Sequence, residues 1–431
     1  MTGFGVSSIG RRAIVGLAAM VAIGAVSAEA TPYLVVDADS DQVLAQNDAT
    51  APWYPASLTK LMTVYVALDA VRSGKLTLDT PLMMSARAAR MPASKMGFRP
   101  GTEVTLDNAL KMLMVKSPND VAVMVAEGVS GSVEAFADDM NAAAQRLGLH
   151  ESHFVNPNGL HDPAHVSSAR DMAMIARALL REFPEHADLF DIGALQLGNQ
   201  YIPNHNGLLG RYPGADGMKT GFTCPAGFNV VASASNYGRR LIVVVLGAPS
   251  ARSRNQEAAD LFDRGFATGS GAGSLESLPS GSGAPPNMRA DVCLRRNAAA
   301  IAALEDDGAP EPIQSAGSAG RGAALPNPFA ALLAPVTAHT VLSDERIRFD
   351  PVHVFIGPIA GWKGPVLGAR ATGAATASAD AQGAEASAPA APHGVKSRHK
   401  LARHAAPKPA AQKVVAAKTA KPQAAAGDSE K

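Results

Sequence analysis

The chain has 431 residues, 47% apolar and 18% charged, which is enough for two or three domains with a large core and excludes a wholly disordered protein. Its two cysteines exclude a disulfide-dense scaffold, and they lack the spacing of a zinc site. The net charge of +1 hides an asymmetry: residues 391–431 have nine basic and two acidic residues, a charge of +7, which leaves −6 for the rest of the chain.

Residues 1–30 have the three parts of a secretory signal peptide. Arg11 and Arg12 supply positive charge, residues 13–24 form an apolar run, and Ala28-Glu29-Ala30 is a small-residue cleavage site. The run is shorter than the about 20 apolar residues that a membrane span needs, which disfavours the alternative of an uncleaved anchor. We therefore expect an exported protein of the periplasm or cell envelope, with peripheral membrane association as an open alternative.

Residues 31–268 are predicted to be one folded, catalytic unit. A strand over residues 32–37 begins it, with a hairpin partner near residue 42. Apolar residues then recur at helical spacing in five segments, 58–71, 106–113, 120–126, 133–145 and 168–181. Two hairpin strands, 227–234 and 240–247, and a helix over 253–266 complete the unit. The order favours an α/β fold: an antiparallel sheet flanked by helices, with an inserted helical lobe.

The composition changes to Gly, Ser, Pro and Ala after residue 268. Residues 269–330 are predicted to be a flexible linker, 331–370 a small module of uncertain structure, and 371–431 a mostly disordered basic tail. The tail lacks the apolar stripe of an interfacial helix. Its charge fits contact with anionic lipid or wall polymer, since each basic residue near a membrane is worth about 1 kcal/mol. The alternative is a solvated tail.

Ser57 and Lys60 form the first candidate catalytic motif, S-x-x-K, where the helix over 58–71 begins. Three residues apart on a helix, the two side chains share a face, which suits a hydroxyl nucleophile whose proton passes to a neutral amine. An exposed lysine has a pKa of about 10.4 and is charged at neutral pH, so Lys60 can act as a base only if burial or nearby cations lower its pKa. Taken by itself, the motif is more typical of an ordinary helix start.

The second motif is Ser117-Pro118-Asn119, between the helical segments 106–113 and 120–126. Pro118 interrupts the helical pattern, so the Ser117 and Asn119 side chains are expected on a tight connection. Ser117 can relay a proton, and the Asn119 amide can accept from and donate to a peptide group. Taken by itself, the segment is more typical of an inter-helix turn.

The third motif is Lys219-Thr220-Gly221-Phe222, which precedes the hairpin strands. On an edge strand, Lys219 and Thr220 could bind a carboxylate by charge and by a hydrogen bond. Gly221 would let a substrate backbone approach as an added strand. The Phe222 N–H would face that of Ser57 as a second oxyanion donor. Taken by itself, the motif is more typical of a solvated strand edge.

The three motifs occur in the order and form S-x-x-K, S-D-N and K-T-G, with Pro118 in place of the central Asp. The chain therefore resembles the low-molecular-weight penicillin-binding proteins that are serine D-alanyl-D-alanine carboxypeptidases. Further matching segments lie at residues 36–39, 54–63, 154–160, 168–173 and 244–248. The resemblance covers about residues 31–266 and implies a β-lactamase/transpeptidase-like fold.

By this resemblance, Ser57 is the acylated nucleophile and Lys60 its general base. Ser117 and Lys219 would lie close by in a proton relay, and the charge of Lys219 would help to keep Lys60 neutral. The backbone N–H groups of Ser57 and Phe222 would form the oxyanion hole. Phe222 departs from the more usual polar residue there, which a backbone donor tolerates.

The same resemblance assigns substrate binding. Asn119 would orient the peptide, and Lys219 and Thr220 would bind the terminal carboxylate of D-Ala-D-Ala. An arginine after the last strand would assist, with Arg254 the preferred match and Arg252 the alternative. No metal, other cofactor or nucleic-acid partner is expected.

The implied function is removal of the terminal D-Ala from peptidoglycan pentapeptide stems through a Ser57 acyl-enzyme, which would limit cross-linking during cell-wall biogenesis. β-Lactams mimic D-Ala-D-Ala and would acylate the same serine. A D,D-endopeptidase has the same motifs and remains open. A class A β-lactamase is disfavoured because its E-x-x-L-N motif is missing. A non-enzymatic wall-binding protein is disfavoured because Ser57, Lys60 and Lys219 are intact.

Other polar residues are expected to have no catalytic role. Export would permit a Cys224–Cys293 disulfide, but the sequence leaves this pairing open. Four histidines are expected to be solvated loop residues rather than metal ligands: His150, His153, His161 and His165. Arg170 and Asp171 are expected to be surface charges near a helix start.

Overall fold

The computed structural model describes residue 3 and residues 31–294, 340–342, 345 and 347–368. The predicted signal peptide over 1–30, apart from residue 3, and the predicted tail over 371–431 lie outside the described residues, as do residues 295–330 of the predicted linker. None of the described helices combines the length and the apolar content that a bilayer-spanning segment requires.

The predicted strands and helices occur in the predicted order, and the described chain has further short strands and helices that were not predicted. Its strands are β1 Tyr33–Asp37, β2 Val43–Asn47, β3 Pro81–Met83, β4 Glu103–Thr105, β5 Ala194–Leu197, β6 Gln200–Pro203, β7 Ala215–Thr223, β8 Gly227–Asn236, β9 Arg239–Ala248 and β10 Val352–Val354. Its α-helices are α1 Thr59–Arg72, α2 Ala86–Ala89, α3 Leu106–Val115, α4 Asn119–Ser130, α5 Val133–Arg146, α6 Ala169–Glu182, α7 Ala251–Ala267 and α8 Arg289–Val292.

The main sheet is antiparallel and has the strand order β2-β1-β9-β8-β7. Side chains alternate between its faces, as a period of two requires. Leu34 and Val36 belong to the core cluster that includes α6, whereas Val35 belongs to the cluster that includes α7. The predicted antiparallel sheet flanked by helices is therefore confirmed, and the third motif lies on its edge strand, β7.

The inserted lobe consists of helices between β2 and β7. Its central helices, α1 and α4, are buried over almost their whole length because helices on several sides cover them. The connection between α3 and α4 contains the second motif, and α1 begins just after the first. The lobe therefore brings both motifs close to β7.

Residues 269–294 do not form the flexible linker that their composition suggested. Residues 271–274 run beside β2, where Val43 N donates to the carbonyl of Gly273 (3.1 Å), and Cys293 forms a disulfide with Cys224. Close packing requires some of these glycines: a Cβ at Gly271 would overlap the carbonyl group of Val43, whereas a Cβ at Gly269 would meet nothing within 4 Å. A high glycine content is therefore compatible with packed structure here.

The described residues of the predicted module over 331–370 also pack on the catalytic unit. Thr340 N donates to Asp263 of α7 (2.7 Å), β10 pairs in parallel with β5, and Leu367 N donates to the carbonyl of Pro81 (2.9 Å). These residues thus extend the sheets of the unit and form no core of their own, in keeping with the small surface that they can bury.

Candidate active site

Ser57 lies in a one-turn 3-10 helix, Ala56–Leu58, and α1 begins only at Thr59. The sequence predicted that Ser57 opens the long helix directly. The difference arises at Ala56, whose φ of +48° lies in the left-handed region. An L-alanine is strained there by about 1–2 kcal/mol, so neighbouring structure must hold the turn.

Two glycines lie directly against this turn. A Cβ at Gly159 would overlap the carbonyl oxygen of Ala56, and a Cβ at Gly221 would lie 3.0 Å from the Ser57 nitrogen and 3.1 Å from the Leu58 nitrogen. A side chain at either glycine would therefore press on the backbone of Ser57. The missing side chain of Gly221 makes room for the Ser57 turn, whereas the sequence analysis attributed it to substrate approach.

Lys60 Nζ lies within hydrogen-bond distance of three oxygens: Ser57 Oγ (2.9 Å), Asn119 Oδ1 (2.9 Å) and the carbonyl of Asn158 (2.8 Å). The orientation of the Asn119 amide is fixed, because its Nδ2 donates to the carbonyls of Pro92 and Ala93, both at 3.2 Å. Two of the three oxygens near Nζ can therefore only accept a hydrogen bond.

This arrangement determines where the lone pair of a neutral Lys60 points. A neutral amine has two N–H donors and one lone pair. The oxygens of Asn119 and Asn158 take both donors, so the lone pair faces Ser57 Oγ, which then donates its proton toward Nζ. The geometry is that of a general base next to a hydroxyl nucleophile.

The pKa of Lys60 is lowered well below its usual value, first by complete burial and then by the charge of Lys219, while the Asp120 carboxylate acts in the opposite direction. Burial and the nearby Arg254 lower the pKa of Lys219 to about 7. Burial and one neighbouring cation therefore favour the neutral form of Lys60, as the sequence analysis required.

Ser117 lies on the connection between α3 and α4 with a φ of +61°, again in the left-handed region. Its Oγ is buried and has no hydrogen-bond partner among the described residues. Ser117 Oγ has no hydrogen bond to Lys219, whose Nζ donates to the carbonyl of Thr220 (2.8 Å), so the proton relay that the resemblance implied stays a prediction. Ser117 is among the residues that line the cleft, and the bonding capacity of its hydroxyl is unused.

The Asn119 amide contacts Lys60, Pro92 and Ala93. Both hydrogens of its Nδ2 are engaged, whereas its Oδ1 accepts from Lys60 and has a second lone pair. In this arrangement Asn119 positions Lys60 and the wall segment near residue 93. That it also orients a substrate peptide, as the resemblance implied, stays a prediction.

β7 carries the third motif along the cleft, where Thr220, Gly221 and Phe222 line the wall. The Phe222 ring stacks on Phe228 of β8, with centroids 4.3 Å apart. Its side chain is therefore directed into the packing of the sheet, and its backbone is left to line the cleft.

Arg254 of α7 lines the same cleft although its side chain is only 1% exposed. Its Nε and Nη2 donate to Asn255 Oδ1 (3.1 and 2.9 Å), which fixes the guanidinium. Arg252 is exposed and does not line the cleft. The structure therefore favours Arg254 over the alternative.

Several lining residues were not identified as site residues from the sequence: Ala93, Ser94, Asn158, Gly159, Leu160, His205 and Thr223. Residues 154–160 were noted only as a matching segment, and nothing in the sequence marks His205. In the described part of the chain, no group of three or more His, Cys, Asp or Glu is arranged to hold a metal ion.

Two expectations about polar residues are wrong. His165 is 2% exposed, whereas the three other histidines near it are exposed, because its ring packs against the start of α1 and lies 2.7 Å from Thr59 Oγ1. Arg170 and Asp171 are also buried, and Arg170 Nη2 forms ion pairs with Asp171 (2.7 Å) and Glu151 (2.9 Å). A charge inside the core needs such partners, and the sequence pattern near a helix start does not reveal them.

Comparisons with known proteins match the same part of the chain. The model of the family described as D-alanyl-D-alanine carboxypeptidase matches residues 19–250. The chain is 35% identical over 242 residues to D-alanyl-D-alanine carboxypeptidase DacF of Bacillus subtilis, a match that covers 55% of this chain and 62% of DacF. The chain thus spans less than two thirds of the length of this curated relative.

Solved structures of related proteins share the fold. Penicillin-binding protein 5 of Haemophilus influenzae is 38% identical, with a TM-score of 0.54 over 56% of this chain and 71% of that one. Penicillin-binding protein D2 of Listeria monocytogenes, solved in its ampicillin-bound form, is 27% identical, with a TM-score of 0.51 over 55% of this chain and 97% of that one.

Proposed function

Because the chain belongs to the D-alanyl-D-alanine carboxypeptidase family, we propose that it removes the terminal D-Ala from peptidoglycan pentapeptide stems through an acyl-enzyme on Ser57. The observation that carries the proposal is the arrangement at Lys60, whose two acceptors leave its lone pair directed at Ser57 Oγ, 2.9 Å away. This is a Ser-Lys form of nucleophilic catalysis.

The first step forms the acyl-enzyme. Ser57 Oγ attacks the carbonyl carbon of the penultimate D-Ala while its proton passes to Lys60 Nζ. The backbone N–H groups of Ser57 and Phe222 stabilise the oxyanion, which is supported by the close packing of β7 on the Ser57 turn. The peptide bond then breaks, and the amine of the leaving D-Ala takes up the proton that Lys60 accepted from Ser57, which returns Lys60 to its neutral form. The unpartnered Ser117 hydroxyl is suited to relay this proton, because it can take one from Lys60 as it gives one to the amine.

The second step hydrolyses the ester. Water loses a proton to neutral Lys60 and attacks the acyl carbon, and Ser57 Oγ leaves and regains a proton. Acylation and deacylation thus use the same base, which needs its pKa well below that of an ordinary lysine.

Substrate binding is assigned to a cationic end of the cleft. The terminal carboxylate is bound by Lys219, Thr220 and Arg254, of which the two cations are almost fully buried. The charge of Arg254 lowers the pKa of Lys219, so the two cations act on each other, and a bound carboxylate would be attracted to both. Asn119 assists indirectly by positioning Lys60.

D-Ala release from a pentapeptide ending in D-Ala-D-Ala tests the proposal. We expect release by the wild-type protein and none by Ser57→Ala or Lys60→Met, with a peptide ending in L-Ala-L-Ala left intact. Release by Ser57→Ala at the wild-type rate would contradict it. A cross-linked muropeptide dimer in the same assay reports the D,D-endopeptidase, which has the same motifs.

The cellular setting belongs to the same proposal. We infer export to the periplasm or cell envelope from residues 1–30, and inhibition by β-lactams from their similarity to D-Ala-D-Ala. We infer electrostatic contact of residues 391–431 with membrane or wall polymer from the charge of +7 on these residues. Deleting residues 391–431 should reduce salt-dependent retention on wall or membrane fractions, and unchanged retention would contradict the contact.

A further inference from the structure

His165 is a buried histidine between the Ser57–Lys60 segment and a neighbouring loop. One ring nitrogen, Nδ1, accepts from the backbone N–H of Val155 (3.1 Å), and Nε2 lies 2.7 Å from Thr59 Oγ1. Because Nδ1 accepts a hydrogen bond, the ring proton of neutral His165 is on Nε2 and is donated to Thr59. His165 therefore accepts a hydrogen bond from Val155 at Nδ1 and donates one to Thr59 at Nε2.

The imidazole of His165 stays neutral, with its proton on Nε2, at any pH well above its lowered pKa. Burial lowers the pKa of His165 to about 3, with smaller contributions from His153, His161 and Lys60, and the Asp162 carboxylate acts in the opposite direction. His165 therefore does not act as an acid or a base near neutral pH. Its function must come from the two hydrogen bonds.

The loop that His165 holds carries an acceptor for Lys60. Val155 begins this loop, Pro157 accepts at its carbonyl from Thr63 Oγ1 of α1 (2.7 Å), and the carbonyl of Asn158 accepts from Lys60 Nζ (2.8 Å). Gly159 then lies against the carbonyl of Ala56. The loop thus contacts the Ser57 turn and α1 at three places, and His165 is hydrogen-bonded to the N-terminal end of the loop.

We propose that His165 is a positioning residue for Lys60: by bonding both Thr59 and the Val155 amide, it holds the loop so that the Asn158 carbonyl takes one Lys60 proton and the lone pair faces Ser57. The inference deepens the proposed function and rests on it. His165 contacts neither the substrate nor Ser57 Oγ in this role, and it acts through Thr59 and the loop.

Loss of this contact has a specific consequence. If the loop moves away, water reaches Lys60, and the burial that lowers its pKa is reduced. Lys219, which also lowers this pKa, and Asp120, which raises it, lie on β7 and α4 and remain in place. The pKa of Lys60 then rises, so a higher pH is needed before the base is neutral. A purely structural histidine would change stability without moving this limb of the pH profile.

The test is the second-order rate of acylation by benzylpenicillin, measured from pH 4 to 10 on the full chain. We expect His165→Ala and Thr59→Val to lower the rate at pH 7 by about 10- to 100-fold and to move the acidic limb upward by about one pH unit. Thr59→Ser retains the hydroxyl, so its acylation rate at pH 7 and the position of its acidic limb should be close to those of the wild type. His150→Ala, which changes another exposed histidine of the same part of the chain, is the control.

The outcomes separate the two proposals. An unchanged acidic limb in Thr59→Val, with only a lower Tm, would overturn the positioning role, even if His165→Ala fails to fold. Equal shifts in Thr59→Val and Thr59→Ser would overturn it as well. If the wild-type protein is not acylated at Ser57, the proposed function itself fails.

Discussion

Gly221 lies directly against the backbone of Ser57, so that a Cβ at this position would be 3.0 Å from the Ser57 nitrogen. The other atoms that it would meet, Pro55 O and Leu58 N, are also backbone atoms, which cannot rotate away as a side chain would. The edge strand that carries the third motif therefore determines where the first motif can lie.

The first prediction concerns this contact. Gly221→Ala should displace the Ser57 turn, lowering the acylation rate by about 10- to 100-fold and the free energy of unfolding by about 1–3 kcal/mol. Gly269→Ala is the control, because a Cβ there meets nothing within 4 Å. Rates from penicillin labelling and stabilities from urea unfolding check it. A wild-type rate for Gly221→Ala would show that the turn is not held by this packing.

The second prediction concerns pH. Lys60 must be neutral to act as base, so kcat/KM should rise as pH increases through its lowered pKa. Lys219 must be charged to bind a carboxylate, so kcat/KM should fall as pH increases through the pKa of about 7 of Lys219. Lys219→Arg should move the alkaline limb upward, since a guanidinium stays charged. An alkaline limb that remains unchanged in Lys219→Arg would assign it to another group.

The third prediction concerns the disulfide, which joins residues 69 apart in sequence. In the chain-entropy account, closing a loop of this size stabilises the folded state by about 4 kcal/mol. The double variant Cys224→Ser/Cys293→Ser should be less stable than the wild type by up to this amount and should no longer respond to dithiothreitol. Urea unfolding with and without the reductant measures it. Equal wild-type stability in both conditions would argue against the bond.

The fourth prediction concerns the buried ion pairs of Arg170. Arg170→Ala leaves Glu151 and Asp171 buried without their cation and should cost about 3–5 kcal/mol of unfolding free energy. Arg146, which pairs with Asp69 while its side chain is 52% exposed, is the comparison, and Arg146→Ala should cost at most about 1 kcal/mol. Similar losses in the two variants would mean that burial does not govern the strength of these pairs.

The sequence predicted the parts of the site whose chemistry is local. Ser57 and Lys60 are three residues apart, and their role follows from residue type, spacing and the need for a lowered pKa. The antiparallel sheet could also be predicted, because the short apolar run that includes Leu34, Val35 and Val36 and the hairpin signal between residues 227–234 and 240–247 are local patterns.

The contacts that hold these parts together could not be predicted from the sequence. The sequence marked Gly159 only as part of a matching segment and assigned Gly221 to substrate approach, and only the fold shows that each touches the Ser57 turn. His165 read as a loop histidine, because its partners Thr59 and Val155 are set by tertiary packing. Long-range contacts of single atoms leave no periodicity in a sequence.

Composition was misleading for residues 269–294. Their Gly and Ser content is typical of a linker, yet a Cβ at Gly281 would overlap the carbonyl group of Thr50, and Cys293 is bonded to Cys224. Glycine permits both mobility and very close packing, and its frequency alone does not distinguish them.

The most direct test of the account is the intact mass of the purified protein before and after incubation with benzylpenicillin. We predict that the wild-type protein gains one penicillin per chain, that the label maps to Ser57, and that Ser57→Ala gains none. No gain by the wild-type protein, or an equal gain by Ser57→Ala, would contradict the assignment of Ser57 as the nucleophile activated by Lys60.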